Sequence, residues 1–120
     1  MKKNLVGWFE IPVSDMDRAV RFYETVFDII LVRKTAGALD MALFPDIGSL
    51  VFHETFYKPS QDGILIYLTA QSDDLAIELG KVEKAGGKVL ITKRQISEEM
   101  GYMGLFTDTE GNRIALQSHK

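Results

Sequence analysis

The chain repeats itself at an offset of 59 residues, and that constrains its fold more than anything else in it. Ser14-Asp15 opens the run MDRAVRFYETVF, where Met16, Val20, Tyr23 and Phe27 recur at helical spacing. Ser14, with Asp17 three residues on, reads as a helix N-cap pattern. Asp73-Asp74 opens LAIELGKVEKAGG, where Leu75, Leu79 and Val82 form the same stripe and Gly86-Gly87 closes it. Laying Asp15 on Asp74 also lays Val20 on Leu79, Tyr23 on Val82, Glu24 on Glu83, Ile30 on Val89 and Lys34 on Lys93. Two unrelated helix starts would not carry the positions beyond them into register.

Each predicted helix follows an apolar strand, LVGWFEIPV or GILIYLTA, and precedes three more strand-like runs. These are IILVRK, DMALF and SLVFHE in the first half, then KVLITK, YMGLFT and NRIALQS in the second. The expected fold is therefore α+β, with two tandem β-α-β-β-β modules at about residues 4–56 and 63–119 of a single domain spanning 1–120. A chain of this length buries roughly two-thirds of its unfolded surface, enough for one core without covalent staples.

The 14 basic and 17 acidic residues are well mixed and leave a net charge of −3, so no basic face is offered to a phosphate backbone. Nucleic acid is not an expected partner. The opening MKKNLVGWFEI meets the acidic Glu10 before any leader-length apolar run, and no segment approaches the roughly 20 apolar residues of a membrane span. The expectation is a cytoplasmic protein with no membrane partner. Without cysteine there are no disulfides, no thiolate ligands and no thiol nucleophile, so a metal would depend on Asp, Glu and the two histidines.

The stretch FEIPVSDMDRAVRFYETVF with its Phe22-Tyr23 pair, the run AGGKVLITK and the ending LFTDTEGNRIALQS together resemble the vicinal oxygen chelate superfamily, the glyoxalase, bleomycin-resistance and dioxygenase group. The likeness covers essentially the whole chain. It implies sheets curved around a cleft and a homodimer. In metal-dependent members it implies a divalent ion held by His, Gln or Glu from the first strand of each module and by ligands from the last strands. Those positions fall here on Trp8, Leu65 and Ala115, with the fourth near Phe52 or His53. An indole has no lone pair to give, the two aliphatic side chains have none either, and one imidazole does not hold a divalent ion against water. No metal and no cofactor are expected. The resemblance then implies the metal-free branch, whose bleomycin-resistance members bind a compound without chemistry, so the expected partner is a small organic molecule in the inter-module cleft.

Strand alternation puts Trp8, Glu10 and Pro12 on one face, which the resemblance makes the cleft. Glu10, flanked by Trp8, Phe9, Ile11 and Pro12, is the catalytic candidate, as a general base or as an acceptor for a ligand's donor. The plainer alternative pairs it with Arg113 or Lys120. The expected ligand-binding set is Trp8, Glu10, His53, Leu65, Tyr67, Tyr102, Ala115 and Gln117. His53 alternates with Val51, Tyr67 shares the face of Leu65, and Gln117 and Arg113 share that of Ala115. Tyr102 stands beside Met100 and Met103 in SEEMGYMGLF, which reads as a mobile flap. Asp108, Glu110 and Gly111 read as a turn. An enzymatic alternative, a lyase, isomerase or dioxygenase-like protein, uses Glu10 as base or an atypical metal set including His53.

Overall fold

The computed structural model describes residues 4–120; Met1 to Lys3 lie outside the described residues. The order is β1 (Glu10–Pro12), α1 (Met16–Phe27), β2 (Val32–Ala36), β3 (Leu39–Leu43), β4 (Ser49–Phe52), then β5 (Ile66–Thr69), α2 (Leu75–Val82), β6 (Lys88–Ser97), β7 (Gly101–Thr107) and β8 (Arg113–Ser118). Two four-stranded mixed sheets result, ordered β1-β4-β3-β2 and β5-β8-β7-β6, one for each β-α-β-β-β unit. In both, the first strand runs parallel to the last and the remaining pairs are antiparallel. This is the α+β architecture expected from the repeat.

The duplicated helix starts superimpose in chemistry as well as in order. Asp15 and Asp74 are the two N-caps, with φ/ψ of −138/104 and −135/104, and their carboxylates accept from the backbone N–H of Arg18 and Ala76. The cap of α1 is thus Asp15 rather than Ser14. The amide of Ser14 is committed elsewhere, to the Glu110 carboxylate at 2.8 Å.

Helix α1 buries Ala19, Phe22, Tyr23 and Val26, and α2 buries Leu75, Leu79 and Val82. Each helix packs on the sheet of its own module, and the two also touch each other, so both lie on one side of the sheets over a shared core. The modules interlock there. Phe22 stands 5.1 Å from Tyr23 edge-on and 5.8 Å from Phe106 of β7, and these fully sealed rings supply a large share of the apolar burial. Where the turn after α2 passes Phe22, only glycine fits. A Cβ on Gly87 would stand 2.5 Å from the Thr107 carbonyl oxygen and 2.7 Å from the Phe22 ring.

With extents of 45 × 43 × 27 Å, the molecule is a slab whose second sheet face carries no helix. On that face Trp8 is 46% exposed, Val32 59% and Tyr67 44%. The predicted flap is instead a hairpin turn between β6 and β7, closed by the Met100 amide donating to Ser97 Oγ at 2.9 Å, and Tyr102 and Met103 are strand residues. Among the described residues no helix is long and apolar enough to cross a membrane.

Candidate functional site

Strand parity decides what the open face presents. In β1, Ile11 belongs to the core and Glu10 and Pro12 point the other way, with Trp8 continuing that side ahead of the strand. In β5, Ile66 and Leu68 pack on the core, which leaves Tyr67 opposite; in β8, Ile114 and Leu116 do so, leaving Arg113, Ala115 and Gln117 opposite. A cavity of about 660 Å³ lies where β1, β5 and the start of β8 converge, walled by Trp8, Glu10, Pro12, Leu65, Tyr67 and Arg113. The segment between the modules closes its side with Lys58, Ser60 and Asp62.

The structure therefore brings Trp8, Glu10, Leu65 and Tyr67 together, and separates the other predicted residues from them. Ala115 shares their face but is fully sealed, opposite Tyr67 on one flank and Leu105 on the other. Gln117 lines a neighbouring hollow of about 410 Å³ with Thr69 and His119, its Nε2 donating to Thr69 Oγ1 at 3.3 Å. His53 turns into its own loop: Nδ1 accepts from the amides of Thr55 at 3.1 Å and Phe56 at 3.3 Å, and the ring packs 4.9 Å from Phe56. Tyr102 lies on the helix side, packed against the core under the Lys93 ammonium, 4.6 Å from its ring centroid. Its register partner Ser118 faces the same way, with Oγ accepting from the Leu75 amide.

The sequence reading missed Tyr57. Its hydroxyl donates to Glu10 Oε1 at 2.7 Å, so neither Arg113 nor Lys120 is the partner of that carboxylate. The hydrogen bond to Glu10, then burial, then the Glu10 charge raise the Tyr57 hydroxyl above its usual range, so at neutral pH it stays a protonated donor. The available signal was the aromatic and proline run F-Y-K-P-S in the segment that follows β4.

The turn D-T-E-G-N holds this arrangement in place. Glu110 Oε1 accepts from the amides of Ser14 and Asp15 at 2.8 and 2.9 Å, and Oε2 accepts from Arg18 Nε at 2.8 Å. Burial alone would raise the Glu110 carboxyl. The Arg18 guanidinium, the Asp15 and Ser14 amides and the Thr109 hydroxyl outweigh burial and hold it at about 2. Asp108 accepts from Tyr23 Oη at 2.6 Å, where burial pushes the carboxyl up against its hydrogen bonds. Asn112 Nδ2 donates to the Pro12 carbonyl at 2.7 Å, and its Oδ1 accepts from the Ser60 amide at 3.1 Å. Gly111 takes φ +91, which the tight turn requires. Strand β1, the start of β8 and the inter-module segment are thereby locked together beside the cavity.

A divalent ion does not fit this donor set. Trp8, Leu65 and Ala115 offer no ligand atom, Glu10 stands alone among the predicted positions, and one ring nitrogen of His53 is committed to its loop. Among the described residues no three of His, Cys, Asp and Glu come together in a group that could hold a metal.

Comparison with known proteins gives a consistent picture. The family model described as Glyoxalase/Bleomycin resistance protein/Dioxygenase superfamily matches residues 5–116. A "Glyoxylase-like domain-containing protein" of Didymella fabae is 28% identical over 121 residues, covering 92% of this chain and 91% of its own. The glyoxylase/bleomycin resistance protein/dioxygenase domain from Frankia sp. EAN1pec superimposes with TM-score 0.72 at 18% identity, over 99% of this chain and 100% of that one. The fosfomycin resistance protein FosX of Mesorhizobium loti gives TM-score 0.67 at 21% identity, over 100% and 95%. At such identities the two structural matches speak for the fold alone.

Proposed function

The chain belongs to the glyoxalase/bleomycin resistance protein/dioxygenase superfamily, and from that premise we propose that it binds a small organic molecule without metal, in the cavity between its two modules. The observation that carries the reading is one cavity of about 660 Å³ walled by Trp8, Glu10, Pro12, Leu65 and Tyr67, while the positions the family uses for metal ligands hold Trp8, Leu65 and Ala115. Apolar and aromatic walls with a few fixed polar groups suit a compound with an aromatic or aliphatic body. Trp8 and Tyr67 give it area. Glu10 accepts its donor group, with one carboxylate oxygen already held by Tyr57.

The protein works as a homodimer. The helix-free face exposes Trp8, Val32 and Tyr67, and a second copy laid on it would remove that apolar surface from water. Sedimentation at micromolar concentration should give twice the 13.5 kDa of one chain; a lone chain would refute the dimer.

The enzymatic alternative rests on the Tyr57–Glu10 pair, a donor and an acceptor joined at 2.7 Å beside the cavity. Glu10→Gln separates the two readings on hits from a thermal-shift screen of small organic compounds. Under the binding reading the substitution weakens affinity by about 1–3 kcal/mol, the range for a charge-assisted hydrogen bond. Loss of a measurable turnover with affinity retained would make Glu10 a catalytic base instead. Unchanged affinity with no turnover in either protein would remove Glu10 from the site.

A further inference from the structure

We propose that the ligand of this cavity carries an oxyanion and that the Arg113 guanidinium reads it, an inference that rests on the cavity being the binding site. Of the other four arginines, Arg18 and Arg33 are ion-paired among the described residues, and Arg21 and Arg94 are exposed. Arg18 meets Glu110 at 2.8 Å, and Arg33 meets Asp17 at 2.8 Å and Asp40 at 3.2 Å. Arg113 has no ion pair among the described residues, although it stands on the cavity wall. Its Nε is shut off from solvent without a hydrogen-bond partner, and its Nη2 reaches only the Gly63 carbonyl, at 3.4 Å.

A desolvated guanidinium donor without an acceptor is a standing cost that an anion relieves. The two under-used donors, Nε and Nη2, share the edge of the guanidinium that takes a carboxylate side-on through two parallel hydrogen bonds. A carboxylate meets both once Nη2 leaves the Gly63 carbonyl and the side chain turns its sealed Nε toward the cavity. Lys58 adds a second cation to the same wall.

Glu10, from the other module, and Asp62, beside Lys58, set a further condition, because their charges repel a simple anion. The ligand must present a hydroxyl or ammonium to Glu10 as well as an oxyanion to Arg113. The chemical class that meets both is a small hydroxy or amino acid with an aromatic or aliphatic body, long enough to touch both modules.

The test is a panel of aromatic hydroxy acids, each beside its neutral primary amide of the same shape, titrated into the full chain. Binding is followed at the indole N–H signal of Trp8, the only tryptophan. In the wild type each acid should bind about tenfold or more tightly than its amide. Arg113→Met should erase that preference, bringing acid and amide to equal affinity, and Arg113→Lys, which keeps the charge and loses the fork, should recover only part of it. Equal binding of acid and amide, or a preference that survives Arg113→Met in a folded variant, overturns the inference while the cavity stands as a binding site. If no acid or amide shifts the Trp8 signal, the cavity reading falls and this inference with it.

Discussion

Glu110 holds the turn before β8 to the start of α1. Its carboxylate caps the approach to α1 and pairs with Arg18, and it sits at about 2 against an ordinary 4.5. A carboxyl lowered by folding contributes stability that is complete above 4.5 and drains away as pH falls toward 2. Asp108 works in the opposite sense, since burial raises it and its folded form takes up a proton more readily. Glu110→Gln should therefore lose about 2 kcal/mol at pH 7, after allowance for the exposed Arg18, and match the wild type near pH 2. Urea unfolding at neutral and acid pH checks this; a constant deficit across that range would contradict it. Ala115 carries a different lesson. It was expected in the cleft, and its face is right, but it is fully sealed, with Tyr67 and Leu105 beside it in the sheet.

Elements with a strong local period were legible in the sequence. Both helices and all eight strands follow from stripe, cap and turn chemistry, with the cap of α1 falling one residue later, on Asp15 rather than Ser14. What escaped depends on contacts distant in the chain. Tyr102, expected in a flap, lies in β7, whose unbroken pairing with β8 puts it on the side of Gly104 and Phe106. Tyr57 folds back on a carboxylate 47 positions away. His53 alternates correctly with Val51, yet its ring nitrogen satisfies backbone donors of the following turn. Gly87 belongs to this scale too, because its bare Cα lets the turn after α2 pass between Phe22 and Thr107. Gly87→Ala should destabilise the protein by roughly 1–3 kcal/mol through overpacking, read as a lower urea midpoint with an unchanged slope. A midpoint equal to the wild type would show that the interface between α1 and the second module yields more easily than its packing implies.

For the whole molecule, the fold and the candidate chemistry rest on the same junction. Asp108 and Glu110 tie the turn before β8 to α1 and its start, Asn112 ties it to β1 and to the inter-module segment, and the cavity opens beside those ties with Trp8 and Glu10 on one module and Tyr67 and Arg113 on the other. The chain keeps the two β-α-β-β-β modules of the superfamily to which it belongs. The central claim is that this cavity binds an organic molecule without a metal ion. The direct measurement is Trp8 fluorescence during titration with a screening hit, carried out on protein before and after exhaustive chelation. The account predicts a saturable change with the same dissociation constant in both preparations. Binding that vanishes on chelation and returns with added metal, or saturable binding that leaves Trp8 unaffected, would contradict it.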